Sequence, residues 1–468
     1  MSNTCQPVSR VSRRLLPILI ALASAAALSL GCSSELPPPP PGSRPADEIV
    51  EKRLEPSWIQ EGFIYELFVR DFTPEGTFQA IISRLDEIQE LGVETIWLMP
   101  IHPIGEIERK GSLGSPYSIT DYYDVHPDYG SLEDFQDLVD AVHSRGMHII
   151  IDLVVNHTAW DHPWIEEHPE WYSRDDEGNM MPPVPDWSDV ADLNFDDEGL
   201  REELIDMMSY WVRDFDIDGY RVDTASMIPG DFWEESIPRV REIKPVFFLG
   251  ETGDAGLGEA GYQMIYAWSA YGNLKDTWRG SGGSAFVASV ESAEKQIGES
   301  AYMRFITNHD ETAWDAPPTQ LFGGQDGARA AAVAHLFMPG VPLLYNGQEI
   351  GNEDSWAFFE KWNYDWSLNP QIRDFYVRLG SIWQQSEALR FGDMRRIRQD
   401  NGAAIISYVR RSRNERIAVI VNKTDEPQSF TLAEEYAGDF EELFSGRRID
   451  TSGELSLEAF GYRVFRLD

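Results

Sequence analysis

Four short segments carry the residues best placed to do chemistry, and each contains or follows an apolar run. They are Asp152-Leu153-Val154-Val155-Asn156-His157, Asp218-Gly219-Tyr220-Arg221-Val222-Asp223, Phe247-Phe248-Leu249-Gly250-Glu251 and Phe305-Ile306-Thr307-Asn308-His309-Asp310. Taken singly, an acidic residue behind a strand reads as a helix cap and a lone histidine as a satisfied core residue. The set reads differently. Arg221 and Asp223 stand two apart on one extended run, so they project to the same side, where the guanidinium is expected to hold the carboxylate ionised and oriented, as a nucleophile requires. Glu251 closes the apolar run 246–249, and partial desolvation there raises its pKa and keeps it protonated near neutral pH, as a general acid requires. Two carboxyls pushed apart in pKa at one site form a pair for cleaving glycosidic bonds, about 5 to 5.5 Å apart if configuration is retained.

These segments meet only if the fold brings strand ends together. From residue 62 onward, short apolar runs alternate with amphipathic helical stretches, which argues for a parallel α/β architecture. Strands are expected at 63–69, 95–99, 148–154, 219–222, 246–250, 263–267, 303–307 and 341–345, which is enough to close a (β/α)8 TIM barrel. The polar segments then fall after strands three, four, five and seven, on the one rim where barrel side chains are free for catalysis. Between the first two strands Ile81, Leu85, Ile88 and Leu91 keep a helical spacing that Gly92 stops. Between the second and third, Ser131 caps a helix whose Phe135, Leu138 and Val142 share a face and whose end is Gly146. The alternation lapses over 158–200, a short insertion after strand three that is expected to overhang the same rim. The expected domains are the barrel over 56–390 and a C-terminal all-β sandwich over 391–468.

Charge and the N-terminus bound the setting. With 39 basic and 79 acidic residues the formal charge is −40, which excludes nucleic acid as a partner and gives a neutral substrate no steering. Arg10, Arg13 and Arg14 precede an apolar run over 15–30, the charge and length of an export signal rather than a membrane span. The run ends in Leu28-Ser29-Leu30-Gly31-Cys32, which resembles a bacterial lipobox with Ser29 where a leucine is usual. The expectation is a signal peptide over 1–31, a lipid on Cys32 and a proline-rich tether over 32–55, so that the membrane is met only through that anchor. Loss of Cys5 with the signal leaves the mature chain no internal disulfide.

The four polar segments, in their order, resemble the signature stretches of glycoside hydrolase family 13, the α-amylase family. The residues 63–68, Asp192-Leu193-Asn194 and 340–349 resemble further motifs of that family. The resemblance implies that Asp223 is the nucleophile, Glu251 the acid and then base, and Asp310 the stabiliser of an oxocarbenium-like transition state. It implies that His157, Arg221 and His309 complete the innermost sugar subsite and that Tyr117 is an aromatic platform beneath the sugar. It also implies that Asn156 is a ligand to a structural calcium, provided the insertion supplies the remaining oxygens a hard cation wants. Thr224-Ala225-Ser226-Met227 lacks the Lys-His pair common after the nucleophile in typical α-amylases, so an acceptor-side contact is made differently or not at all.

The expected activity is hydrolysis of α-1,4 bonds in starch-like glucans or maltooligosaccharides, with no organic cofactor. The alternatives within the family are cyclomaltodextrinase, neopullulanase, α-glucosidase and transglycosylase action. A non-catalytic glucan-binding surface protein is the alternative of another class. A zinc-dependent barrel hydrolase calls for a His-x-His after the first strand, where the chain reads Tyr65-Glu66-Leu67-Phe68. Among the aromatic residues, Trp160, Trp164, Trp171, Trp187, Trp314 and Trp356 are expected near the rim as candidate outer subsites.

Overall fold

The computed structural model describes residues 48–467, so the signal, Cys32 and most of the tether lie outside the described residues. Eight parallel strands close into a barrel: β1 (Phe63–Leu67), β2 (Val93–Leu98), β3 (His148–Leu153), β4 (Gly219–Val222), β5 (Phe247–Gly250), β6 (Met264–Tyr266), β7 (Ala301–Arg304) and β8 (Val341–Tyr345). Each pairs with its sequence neighbours, and β1 pairs with β8 to complete the ring. The strands read as nearly continuous apolar runs because helices cover them outside and packed side chains fill them inside.

Local chemistry sets the helices between them. Ser131 and Asp134 form a capping box that opens the helix Leu132–His143, whose Phe135, Leu138, Val139 and Val142 are buried. Gly146 then leaves it at a φ of 75°, a left-handed turn that favours glycine. The helix read between β1 and β2 is two short ones, Phe78–Ile82 and Leu85–Gln89. Ser83 Oγ donates to the Ala80 carbonyl at 2.7 Å, and this local bond competes with continuation of the helix. The Arg84 guanidinium, at the break, lies 4.1 Å over the Trp366 ring.

The insertion is a small subdomain on a two-stranded antiparallel ribbon, His157–Ala159 against Val190–Asp192. The C-terminal module comprises β9 (Asp393–Arg396), β10 (Ile405–Arg411), β11 (Arg416–Asn422), β12 (Gln428–Thr431), β13 (Asp439–Glu442), β14 (Arg447–Asp450), β15 (Glu454–Leu457) and β16 (Tyr462–Leu467). Its antiparallel sheet runs β9-β10-β11-β16-β13-β14, with β12 and β15 as a separate ribbon. Ile405, Ile420, Phe430 and Leu457 belong to its own apolar core. The opposite face grips a barrel helix, Gly324–Leu336: Tyr408 donates to the Ala334 carbonyl at 3.1 Å, and Arg410 Nη1 to the Phe337 carbonyl at 2.7 Å. Among the described residues no helix is long and apolar enough to cross a membrane.

Register fixes the functional rim. Asp152 on β3 stands opposite Arg221 on β4, and Val222 opposite Gly250 on β5. Asp223 N donates to the Leu153 carbonyl and Glu251 N to the Val222 carbonyl, each at 3.0 Å, so both residues sit one step past their strands on one rim. At the other end of β4, a Cβ on Gly219 would stand inside van der Waals contact with the Phe247 carbonyl oxygen. Gly219→Ala is therefore expected to cost about 1–3 kcal/mol of stability, seen as a lower midpoint in urea unfolding of the purified chain.

Candidate active site

One guanidinium organises the rim. Arg221 is fully buried, and its Nη1 donates to Asp152 Oδ1 at 2.8 Å and to Asp223 Oδ1 at 3.1 Å. Its Nη2 lies 2.8 Å from Glu251 Oε2, an ion pair without hydrogen-bond alignment, and its Nε donates to Tyr266 Oη at 3.0 Å. Asp152, also fully buried, accepts in addition from Trp97 Nε1 at 3.3 Å and Tyr117 Oη at 3.1 Å. Thr224 follows Asp223 at a φ of 44°, and this unusual turn aims its amide at Glu251 Oε2, 2.8 Å away. The two carboxyls read as a catalytic pair thus touch opposite prongs of one planar fork.

Their electrostatics differ from the expectation drawn from sequence. Burial raises both carboxyls, Asp223 to about 7 and Glu251 to about 7, with Arg221 opposing and the neighbouring carboxylates adding to the rise. The two are therefore not driven in opposite directions, because Arg221 divides its charge among three carboxylates, Asp152 included. With more carboxylate than cation in a dry site, one proton on the pair relieves the excess.

A second buried pair fixes the histidine. His309 Nδ1 is in direct contact with Glu66 Oε1 from β1, while Nε2 lies 2.9 Å from Tyr117 Oη and 3.3 Å from Asp310 Oδ2. Burial disfavours its charge, but Asp310 and Glu66 outweigh that and raise His309 to about 9, so it is an imidazolium at neutral pH. His157 is the opposite case: burial lowers it to about 4, and it is neutral.

These groups surround a cavity of about 600 Å³. Tyr117, His157, Asp223, Glu251, His309 and Asp310 all line it, with Arg221 buried directly behind. Tyr117 stacks on His309 with ring centres 5.6 Å apart. Of the tryptophans, Trp187 and Trp314 reach the cavity, and Trp314 is 63% exposed. Trp164, Trp171 and Trp356 are core residues instead, for Trp164 packs edge-on against Trp171 and Trp356 donates to the His309 carbonyl at 3.2 Å. Sequence reasoning missed Asp152, Glu66, Lys110, Phe358 and Phe359. Asp152 and Glu66 obey the rule already applied, a polar residue near the C-terminal end of a barrel strand. Lys110 and the two phenylalanines stand in loops without periodicity, which offer no such signal.

Asn156 is buried, with its Nδ2 3.4 Å from His157 Nδ1 and its carbonyl accepting from Leu193 N at 3.1 Å. Asp189, on the same insertion, is paired with the Lys110 ammonium at 2.7 Å. Among the described residues no group of three or more His, Cys, Asp or Glu side chains is arranged to hold a metal ion. A hard cation at Asn156 would have to draw on backbone and amide oxygens as well, and the chemistry proposed for the carboxyls does not depend on it.

Comparison with known proteins agrees with this geometry. The family model "Alpha amylase, catalytic domain" matches residues 47–183 and 184–248, and "Maltogenic Amylase, C-terminal domain" matches 394–464. The structure of an α-amylase from Lactobacillus plantarum superposes with a TM-score of 0.80 at 30% identity, over 88% of this chain and 100% of that one. That of a noncanonic maltogenic α-amylase from Thermotoga neapolitana gives 0.80 at 29% identity, over 88% and 99%. An α-amylase of Haloarcula japonica is 30% identical over 85% of this chain, which spans 60% of that protein's length.

Glu66 is in direct contact with His309 and is not among the residues lining the cavity, so a substrate there meets the histidine and not the carboxylate. Glu66→Gln removes a charge that holds the His309 proton, and the imidazolium is then lost at lower pH than before. The variant is expected to lose about tenfold in kcat/KM, with the deficit growing as pH rises. Rates across the neutral range, and the His309 resonances followed by NMR, check both parts.

Proposed function

The chain belongs to the α-amylase family, and we propose that it is a retaining glycoside hydrolase acting on α-1,4 bonds of starch-like glucans or maltooligosaccharides. The observation that carries this reading is the shared guanidinium, whose two Nη prongs hold Asp223 and Glu251 side by side on one cavity, as a retaining pair of carboxyls requires. Glu251 holds the pair's proton and gives it to the glycosidic oxygen as that bond breaks. Asp223 Oδ attacks the anomeric carbon from the other face and forms a covalent glycosyl-enzyme. Glu251, now ionised, takes a proton from water, whose oxygen displaces Asp223 and restores the α configuration. Asp310 and the His309 imidazolium grip ring hydroxyls most tightly as the sugar flattens, while Tyr117 supports its apolar face.

The complete set of acid, nucleophile and stabiliser favours this over a non-catalytic glucan-binding protein. Within the family, the matched C-terminal model and the likeness to a maltogenic α-amylase favour action on maltooligosaccharides. For location we propose export, with a lipid on Cys32 tethering the chain to a bacterial membrane at the periplasmic or outer surface. The charged n-region, the apolar run and the proline-rich spacer support that reading.

Two measurements test the chemistry. Asp223→Asn is expected to lower the rate on maltoheptaose by about 10⁴-fold or more, with chromatography of the wild-type products showing newly formed α anomers. Turnover by the variant at the wild-type rate would sink the assignment. The second is the pH profile of kcat/KM. Glu251 works protonated, so the rate falls as pH rises through about 7. Asp223 works ionised and is raised as well, so the rate also falls on the acid side, leaving a narrow bell centred near neutral pH.

A further inference from the structure

The segment 105–114, between β2 and Tyr117, crosses the rim and is bonded on both sides. Toward the insertion after β3, Glu106 N donates to Asp161 Oδ2 at 2.7 Å, and Lys110 Nζ meets Asp189 Oδ1 at 2.7 Å and the Asp186 carbonyl at 2.8 Å. Toward the loop after β8, Ser112 N donates to Glu360 Oε1 at 2.9 Å, Ser112 Oγ donates to the same carboxylate, and Leu113 N donates to the Phe359 carbonyl at 3.0 Å. From below, Arg70 donates to the Gly114 and Leu113 carbonyls at 3.2 and 3.3 Å. Gly111 adopts a φ of 63° and brings its backbone onto Phe359, where a Cβ would collide with that side chain. Lys110 and Phe359 line the cavity itself. The segment is therefore fixed masonry along the arc from β8 through β1 and β2 to β3.

The barrel order says which end of the substrate meets this arc. Strands close in sequence order, so β5, which carries Glu251, stands across the mouth from β1. The general acid protonates the leaving group, so the leaving part of the chain lies on the Glu251 side. The glycone part extends the other way, toward the arc. In an α-1,4 glucan the glycone part is the non-reducing end.

We propose that residues 105–114 wall off the glycone end of the cleft, so that the enzyme accepts non-reducing chain termini and releases short α-configured products instead of cutting chain interiors. This rests on the hydrolase reading above and adds the mode of attack. Lys110, Ser112 and Phe359 are its specificity-determining residues: the first two tie the wall down on either side, and Phe359 and Lys110 set how far a glycone can reach.

The test compares two p-nitrophenyl maltoheptaosides with the wild-type chain, one free at its non-reducing glucose and one carrying a 4,6-O-ethylidene acetal there. The free compound is expected to be cleaved, and the capped one to be slower by about a hundredfold in kcat/KM. Starch viscosity is expected to fall slowly relative to reducing ends released. Equal cleavage of both compounds, or a viscosity collapse ahead of reducing ends, overturns the wall while leaving the hydrolase reading intact. Cleavage of neither compound nor starch overturns the hydrolase reading and the wall with it. A variant with 107–112 replaced by two glycines, folded by circular dichroism, is expected to bring the two rates together. A hundredfold gap persisting in that variant assigns the discrimination elsewhere.

Discussion

A single buried cation, the Arg221 guanidinium, is the constraint on which the rest of this molecule turns. Stripping an arginine of water is costly, and the cost is offset only by opposite charges and acceptors close around its prongs. Here the opposing charges come from three neighbouring strands: Asp152 from β3, Asp223 just beyond β4 and Glu251 just beyond β5. The same contacts that make the charge tolerable also hold Asp223 and Glu251 to one side of the rim. A slip of one residue in register between β3 and β4 would turn Asp152 away from Arg221 and strip the buried cation of one of its three carboxylates. The chemistry and the registration of the strands are thus one requirement.

Much of this was legible in the sequence because both periodicities were strong. All eight barrel strands fall where apolar runs predicted them, shifted by up to a few residues at their ends. The rim residues were legible for the same reason, since a polar residue ending an apolar run has one place to go in a parallel barrel. What escaped reading was the division of charge. Arg221 was paired with Asp223 on spacing alone, and only the fold shows Asp152 and Glu251 drawing on the same guanidinium. Local spacing carries no information about a partner 69 residues away, as Asp152 is from Arg221. The rim tryptophans failed likewise: Trp164 and Trp356 stand in loops by sequence yet fill the core, since an aromatic ring on a long loop is as able to pin that loop as to hold a ligand.

The two histidines show how far the same residue type diverges under different neighbours. His309 lies between Glu66 and Asp310 and keeps its proton, whereas His157, with burial dominating, gives its proton up. The cavity therefore presents a charged imidazolium at one place and a neutral ring at another. For the uncharged glucan proposed above, that asymmetry would matter because only the transition state develops charge for the site to recognise.

The grip of the C-terminal sheet on the helix Gly324–Leu336 extends this dependence beyond the barrel. Helices end in carbonyls with no partner in their own coil, and at this end Tyr408 and Arg410 serve as the missing donors. The same helix carries His335, whose Nδ1 bonds the Phe305 carbonyl at 2.9 Å in the segment leading from β7 to Asp310. A line of contacts therefore joins the far module to the segment that ends in Asp310. Were the β module removed, the Ala334 and Phe337 carbonyls would exchange these donors for water, so the two parts of the chain are coupled through one helix end.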